Sequence, residues 1–151
     1  FFFVTRRCDT TLDFDLELAK KETSENPVFY VQYAHARICS IYRSLEEKGV
    51  KKPTMADFDV SKLTDPSELN LAKVISRLPE EVVKAAEERA PHRIAYYANE
   101  LAEAFHAFYN NQRILGVEEP VMNARLMLVE ATRVALRNTL GLLGVSAPEK
   151  M

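Results

Sequence analysis

Apolar residues along this chain recur at helical spacing, with little of the alternation that marks strands. After Asn26-Pro27, Val31, Ala34, Ile38, Ile41 and Leu45 follow one another in steps of three and four, so they share one side of a helix. Asn is a favoured N-cap, Pro loses nothing at the first helical position, and Gly49 is a natural stop. Asp65-Pro66-Ser67-Glu68 supplies a cap, a first-position Pro and a capping-box Glu for a helix bearing Leu71, Ile75 and Leu78. Pro79-Glu80-Glu81 restarts a helix with acids where the dipole favours them, carrying Val82, Val83, Ala86 and Ala90. Pro91 opens what reads as the longest helix, reaching about Leu115, with Ile94, Ala98, Leu101, Phe105 and Phe108 as its buried stripe and Gly116 as its end. A last helix from Pro120 repeats Met122, Leu126, Val129, Leu136, Leu140 and Leu143 along one face before Gly144. Ahead of these, Asp9-Thr10-Thr11-Leu12-Asp13-Phe14-Asp15 alternates like an extended connector. Leu16 to Lys21 reads as a turn or two of helix, and 51–63 as a polar linker.

Amphipathic helices joined by short linkers predict an all-α, antiparallel, up-and-down bundle. Composition agrees: the four glycines all stand near helix ends, and 47% hydrophobic with 28% charged residues suits a globular core that needs no metal or disulfide. A net charge of −2 speaks against a nonspecific nucleic-acid binder, although a local contact face can still be basic. Cys8 and Cys39 form neither a close pair nor a metal spacing and are expected to be reduced cytosolic thiols. No apolar run approaches the ~18 residues of a membrane span, and no secretory signal opens the chain. The start Phe1-Phe2-Phe3-Val4 is an apolar patch that normally finds a partner, which suggests a piece of a larger protein.

Beside the first seam, one residue round the helix, stand Tyr30, Tyr33 and Arg37 at a three-then-four spacing. His106, Tyr109 and Arg113 repeat that spacing beside the stripe of Leu101, Phe105 and Phe108. Flat rings interleaved with guanidinium groups suit single-stranded RNA, whose unstacked bases lie on tyrosine, histidine or arginine planes. The same pattern also suits tyrosines that flank a core with hydroxyls in water, and arginines that bind carbonyls or acids. His35, His92 and His106 lack metal-ligand spacing, and His35 falls off the aromatic face, as a packing histidine would. The pairs Asp13/Asp15 and Glu80/Glu81 read as solvated or capping charge. Neither a glycine-rich phosphate loop nor a nucleophile elbow is present.

The run Tyr30-Val31-Gln32-Tyr33-Ala34-His35-Ala36-Arg37, with Leu12-Asp13-Phe14-Asp15-Leu16 and Asn26-Pro27 upstream, resembles the arginyl-tRNA synthetase family of class I ligases. Phe105-His106-Ala107-Phe108-Tyr109-Asn110, Ala124-Arg125-Leu126, Ala131-Thr132-Arg133, Leu136-Arg137-Asn138 and Leu142-Leu143-Gly144-Val145 resemble that family's DALR-type anticodon-binding domain. The ending Pro148-Glu149-Lys150-Met151 is similar to the family's terminal pattern, with Lys150 where Arg is commoner. A cysteinyl-type relative of the same architecture fits the YxQYAHxR run and the terminal Met less well.

This resemblance implies a helical bundle over residues 26–151 that grips the tRNA anticodon arm, and a connector over residues 1–25 leading from the catalytic half. In it Phe1-Phe2-Phe3 would end a helix packed on a Rossmann-type catalytic domain. The parent protein would be a cytoplasmic arginine–tRNA ligase using ATP with Mg, while this segment, lacking HIGH-type and KMSK-type motifs, would hold no catalytic residue, metal or cofactor. The expected tRNA-contacting residues are Tyr30, Tyr33, Arg37, His106, Tyr109, Arg113 and Met151. No membrane or DNA partner is implied.

Overall fold

In the computed structural model, residues 1–6, 10–11 and 13–151 are described, and among them no strand occurs. Cys8, Asp9 and Leu12, which enter the cysteine, connector and family readings above, lie outside the described residues. Six α-helices follow one another: α1 (Leu16–Lys20), α2 (Pro27–Glu47), α3 (Pro66–Ser76), α4 (Leu78–Glu87), α5 (His92–Asn111) and α6 (Glu119–Leu142). Short 3₁₀ turns occupy Phe2–Thr5, Met55–Asp57 and Val60–Lys62. The bundle is the all-α architecture its apolar spacing predicts.

The anticipated caps form. Asn26 accepts from the Val28 and Phe29 amides while its own amide donates to the Ala19 and Lys21 carbonyls at 3.1 and 2.9 Å. One buried side chain thus starts α2 and ties the end of α1 to it. At α3, Asp65 accepts from Ser67 and Glu68 reaches back to the Thr64 and Asp65 amides, completing the capping box. Gly49 and Gly144 take positive φ of 64° and 67°, so Val50 and Val145 can donate back to the Leu45 and Leu140 carbonyls. Arg89 adopts the same left-handed turn after α4 at φ 50°, a position composition alone would have given to glycine.

Helix α5 is the hub, packing against α2, α3, α4 and α6. Its predicted stripe is buried throughout, as is the seam of α2. Three expectations change. The longest helix is α6, with 24 residues against 20 for α5, because α5 stops at Asn111 instead of running to Leu115. Leu78 opens α4 and is not part of α3. On α4 the inward face is Leu78, Val82 and Ala85, whereas Val83 is 54% exposed and Ala86 lies on the surface. The adjacent valines left that face undetermined in one dimension, and packing on α5 selects between them. On α6 the gaps in the leucine stripe are filled by Thr132 and Thr139. Both are fully buried and donate to the Leu128 and Ala135 carbonyls one turn back.

Candidate nucleic-acid interface

Helices α2 and α5 pack side by side through their seams, so the residues one step off each seam meet along the edge of the contact. Tyr30, Tyr33 and Arg37 from α2 therefore face His106 and Tyr109 from α5. The His106 ring lies 4.7 Å from Tyr30 and 5.8 Å from Tyr33, stacked on the latter. The Arg37 guanidinium is shared, 5.2 Å from the Tyr33 ring and 5.2 Å from the Tyr109 ring, and it donates to the Tyr33 hydroxyl. Behind Tyr109 stands buried Phe105 at 5.8 Å, and outside Tyr33 stands Phe29, nearly parallel to it at 6.4 Å. These groups wall an open cleft of about 450 Å³ with Asn110 at one rim and Glu22, Thr23 and Ser24 at the other.

Protonation is set by the packing. Burial holds His106 below its ordinary histidine range against an opposing hydrogen bond to the Tyr30 backbone, and the Arg37 charge adds slightly to the burial effect. Its Nε2 has no hydrogen-bond partner among the described residues; aromatic neighbours and a hydrogen bond to the Tyr30 backbone hold the ring. Burial, then the nearby Glu103 charge, raises the Tyr30 hydroxyl. A neutral imidazole and a protonated phenol leave Arg37 as the formal cation of the wall.

A second cleft of about 340 Å³ lies on the other side of the Arg37–Tyr109 wall, with Ser40, Ser44, Gln112 and Arg113 around an apolar floor. Arg113 reaches it by a route the spacing did not predict. After α5 ends, Gln112 is extended (φ −122°, ψ 133°), so Arg113 is not on the helix that carries His106 and Tyr109. Its backbone is fixed from α6: Arg125 donates to the Arg113 carbonyl and to Gln112 Oε1, and through Nε to the fully buried Glu68 at 2.6 Å. Ser40 and Ser44 continue the three-and-four stripe from Arg37, and Phe29 stands one turn before Tyr33, so extending that spacing would have found all three. Gln112 carries no such signal, because a helix end and a contact from α6 place it.

Met151 stands elsewhere. At about 100° per residue, Gln32, His35 and Arg43 are turned roughly 80–160° about α2 from Tyr33, and they hold the tail. Gln32 donates to the Ser146 carbonyl, Arg43 donates to the Glu149 carbonyl, and His35 Nδ1, facing the Pro148 carbonyl at 2.9 Å, must be the donor. His35 is thus the packing histidine its offset suggested. Met151, 52% exposed, ends this tail and lines neither cleft.

Other arginines are committed to acids: Arg77 to Glu100, Arg93 to Glu81 and Glu88, Arg133 to Glu130. The Arg133 hydrogen bonds, with help from Lys52, bring the Glu130 carboxyl down to about 2. Among the described residues neither Arg37 nor Arg113 has a carboxylate partner. No group of three or more histidines, cysteines or carboxylates among them gathers as a metal site, and no described helix is long and apolar enough to cross a membrane.

Comparison with known proteins bears on what such a cleft receives. The profile of the DALR anticodon binding domain matches residues 31–151. The chain is 55% identical over its whole length to arginine–tRNA ligase of Carboxydothermus hydrogenoformans and 54% identical to that of Syntrophotalea carbinolica, and it spans 27% of each. Its fold superposes on Thermus thermophilus arginyl-tRNA synthetase with a TM-score of 0.80 at 33% identity, over 99% of this chain and 25% of that one. The Plasmodium falciparum arginyl-tRNA synthetase gives a TM-score of 0.76 at 25% identity, over 99% of this chain and 26% of that one.

Proposed function

This chain belongs to the DALR anticodon binding domain family, and from that premise we infer that its aromatic cleft receives anticodon-loop bases of a tRNA for an arginine–tRNA ligase. The observation that carries the reading is the convergence of Tyr30, Tyr33, His106 and Tyr109 around the acid-free Arg37. A base released from its stack needs a flat apolar surface with a polar edge, and this wall offers several rings and one guanidinium plane in one concavity. Neutral His106 widens that surface without adding a second fixed charge.

In this reading residues 26–151 are the RNA-binding bundle and residues 1–25 the connector to a catalytic domain, itself a partner. The ligation would proceed in that domain, using ATP with Mg in the cytoplasm, where tRNA is charged. The present residues do not fit a metal–nucleotide site, since no set of metal-ligating side chains gathers among those described, and no step of the reaction is routed through them. A contact between tRNA and Met151 would be separate from the cleft, which Met151 does not line.

Tyr33→Ala and Tyr109→Ala test the reading. Each should weaken tRNA binding roughly tenfold, within the ~1–3 kcal/mol of a lost base stack, while helicity and cooperative unfolding persist. Unchanged affinity in both variants overturns it.

A further inference from the structure

The two clefts share a wall and differ in chemistry. The larger is built of rings. The smaller presents Arg37, Arg113, Ser40, Ser44 and Gln112, and no carboxylate lines it among the described residues. Two cations without a carboxylate partner among the described residues, beside two hydroxyls, in a chain of net charge −2, form a local anion receptor.

Its geometry is fixed in advance. Arg37 is held between Tyr33 and Tyr109, leaving guanidinium N–H groups beyond the one given to the Tyr33 hydroxyl. The Arg125 side chain clamps the Arg113 backbone and the Gln112 carbonyl oxygen, while the Gln112 amide is turned to Asp65, so the segment that carries Arg113 is held from two helices. Arg125 is anchored in turn by Glu68.

We propose that this smaller cleft is a phosphate subsite, which takes the phosphodiester flanking the nucleotide whose base lies in the aromatic cleft, with Arg113 as its principal donor. The identity of the RNA rests on the function proposed above; the polarity of the subsite rests on the cleft alone. Arg37 and Tyr109 line both clefts, so Arg37 serves both, meeting the rings on one side and donating phosphate contacts on the other. The arrangement reads a splayed strand in two parts: base on rings, charge on arginine. Phosphate contacts of this kind position a strand without reading its sequence.

The test uses the 151-residue chain and an RNA hairpin carrying the anticodon arm of an arginine-accepting tRNA, with affinity measured across salt concentrations. Arg113→Gln, at an exposed position, should keep the fold and lower the slope of log affinity against log salt by about one. Tyr33→Ala should weaken binding with its slope unchanged. Neutralising loop phosphates singly as methylphosphonates should reveal one linkage whose loss costs the native chain about tenfold and the Arg113→Gln chain little. If Arg113→Gln retains the native slope while Tyr33→Ala weakens binding, the subsite is wrong and base stacking stands. If Tyr33→Ala has no effect but Arg113→Gln lowers the slope, the subsite stands and the stacking reading fails. If neither variant changes binding, both fall.

Discussion

Arg37 and Arg125 are chemically the same residue on two long helices, and they do opposite things. Arg125 is sunk against Glu68, a carboxylate with no solvent exposure that also accepts two backbone amides at the start of α3. Its other nitrogens hold the segment after α5. Each of its three nitrogens is engaged inside the protein. Arg37 faces rings and one phenol, beside open clefts on either side, with no acid committed to it. The lesson is that an arginine's role is set by what already satisfies it. A guanidinium with all its nitrogens engaged is a strut, and one held mainly by rings still has donors for a ligand.

The most severe way to break this contrast is Arg125→Ala. It would leave Glu68 as an uncompensated buried charge and release α3, α6 and the α5–α6 segment together. Urea unfolding should show a loss of about 3–5 kcal/mol. A loss below about 1 kcal/mol would mean that the pair is not the joint described.

Arg37→Gln should cost far less, about 1 kcal/mol, because it removes two half-exposed cation–ring contacts and one hydrogen bond without stranding a charge. If the two substitutions destabilise equally, the division between strut and receptor fails.

The smallest expected effect is a pH limb from His106. Its folded pKa lies below its ordinary value of 6.5 because burial disfavours the imidazolium and Arg37 repels it. Below 6.5 the unfolded chain therefore binds more protons than the folded one, and stability falls as the pH drops through that range. The limb should shrink in His106→Gln unfolding curves recorded in parallel. An identical pH dependence in the two proteins would show that the histidine is not desolvated.

Much of the aromatic wall was legible because it follows helical arithmetic. Tyr30, Tyr33 and Arg37 were bound to share a face, and so were His106 and Tyr109, since nothing interrupts either helix there. Arg113 obeyed the same count by accident: the helix ends first, and contacts from Arg125 bring it to the neighbouring cleft instead. Met151 had no periodicity to place it, and its position depends on carbonyls of the tail meeting Gln32, His35 and Arg43 across more than a hundred residues of sequence. Glu68 read only as a capping-box acid, because its partner lies 57 positions away.

Local spacing, caps and stop residues by themselves determined that this protein is helical, where its main helices begin, and which seams of α2 and α5 turn inward. Those properties depend on neighbours within one or two turns. Tertiary structure alone decided that the two shoulders meet, that Arg125 is consumed while Arg37 is not, and that Met151 does not line the aromatic cleft. Each of these depends on which helices pack together and on which donors are already satisfied when they do, and that information is shared among segments far apart in the chain.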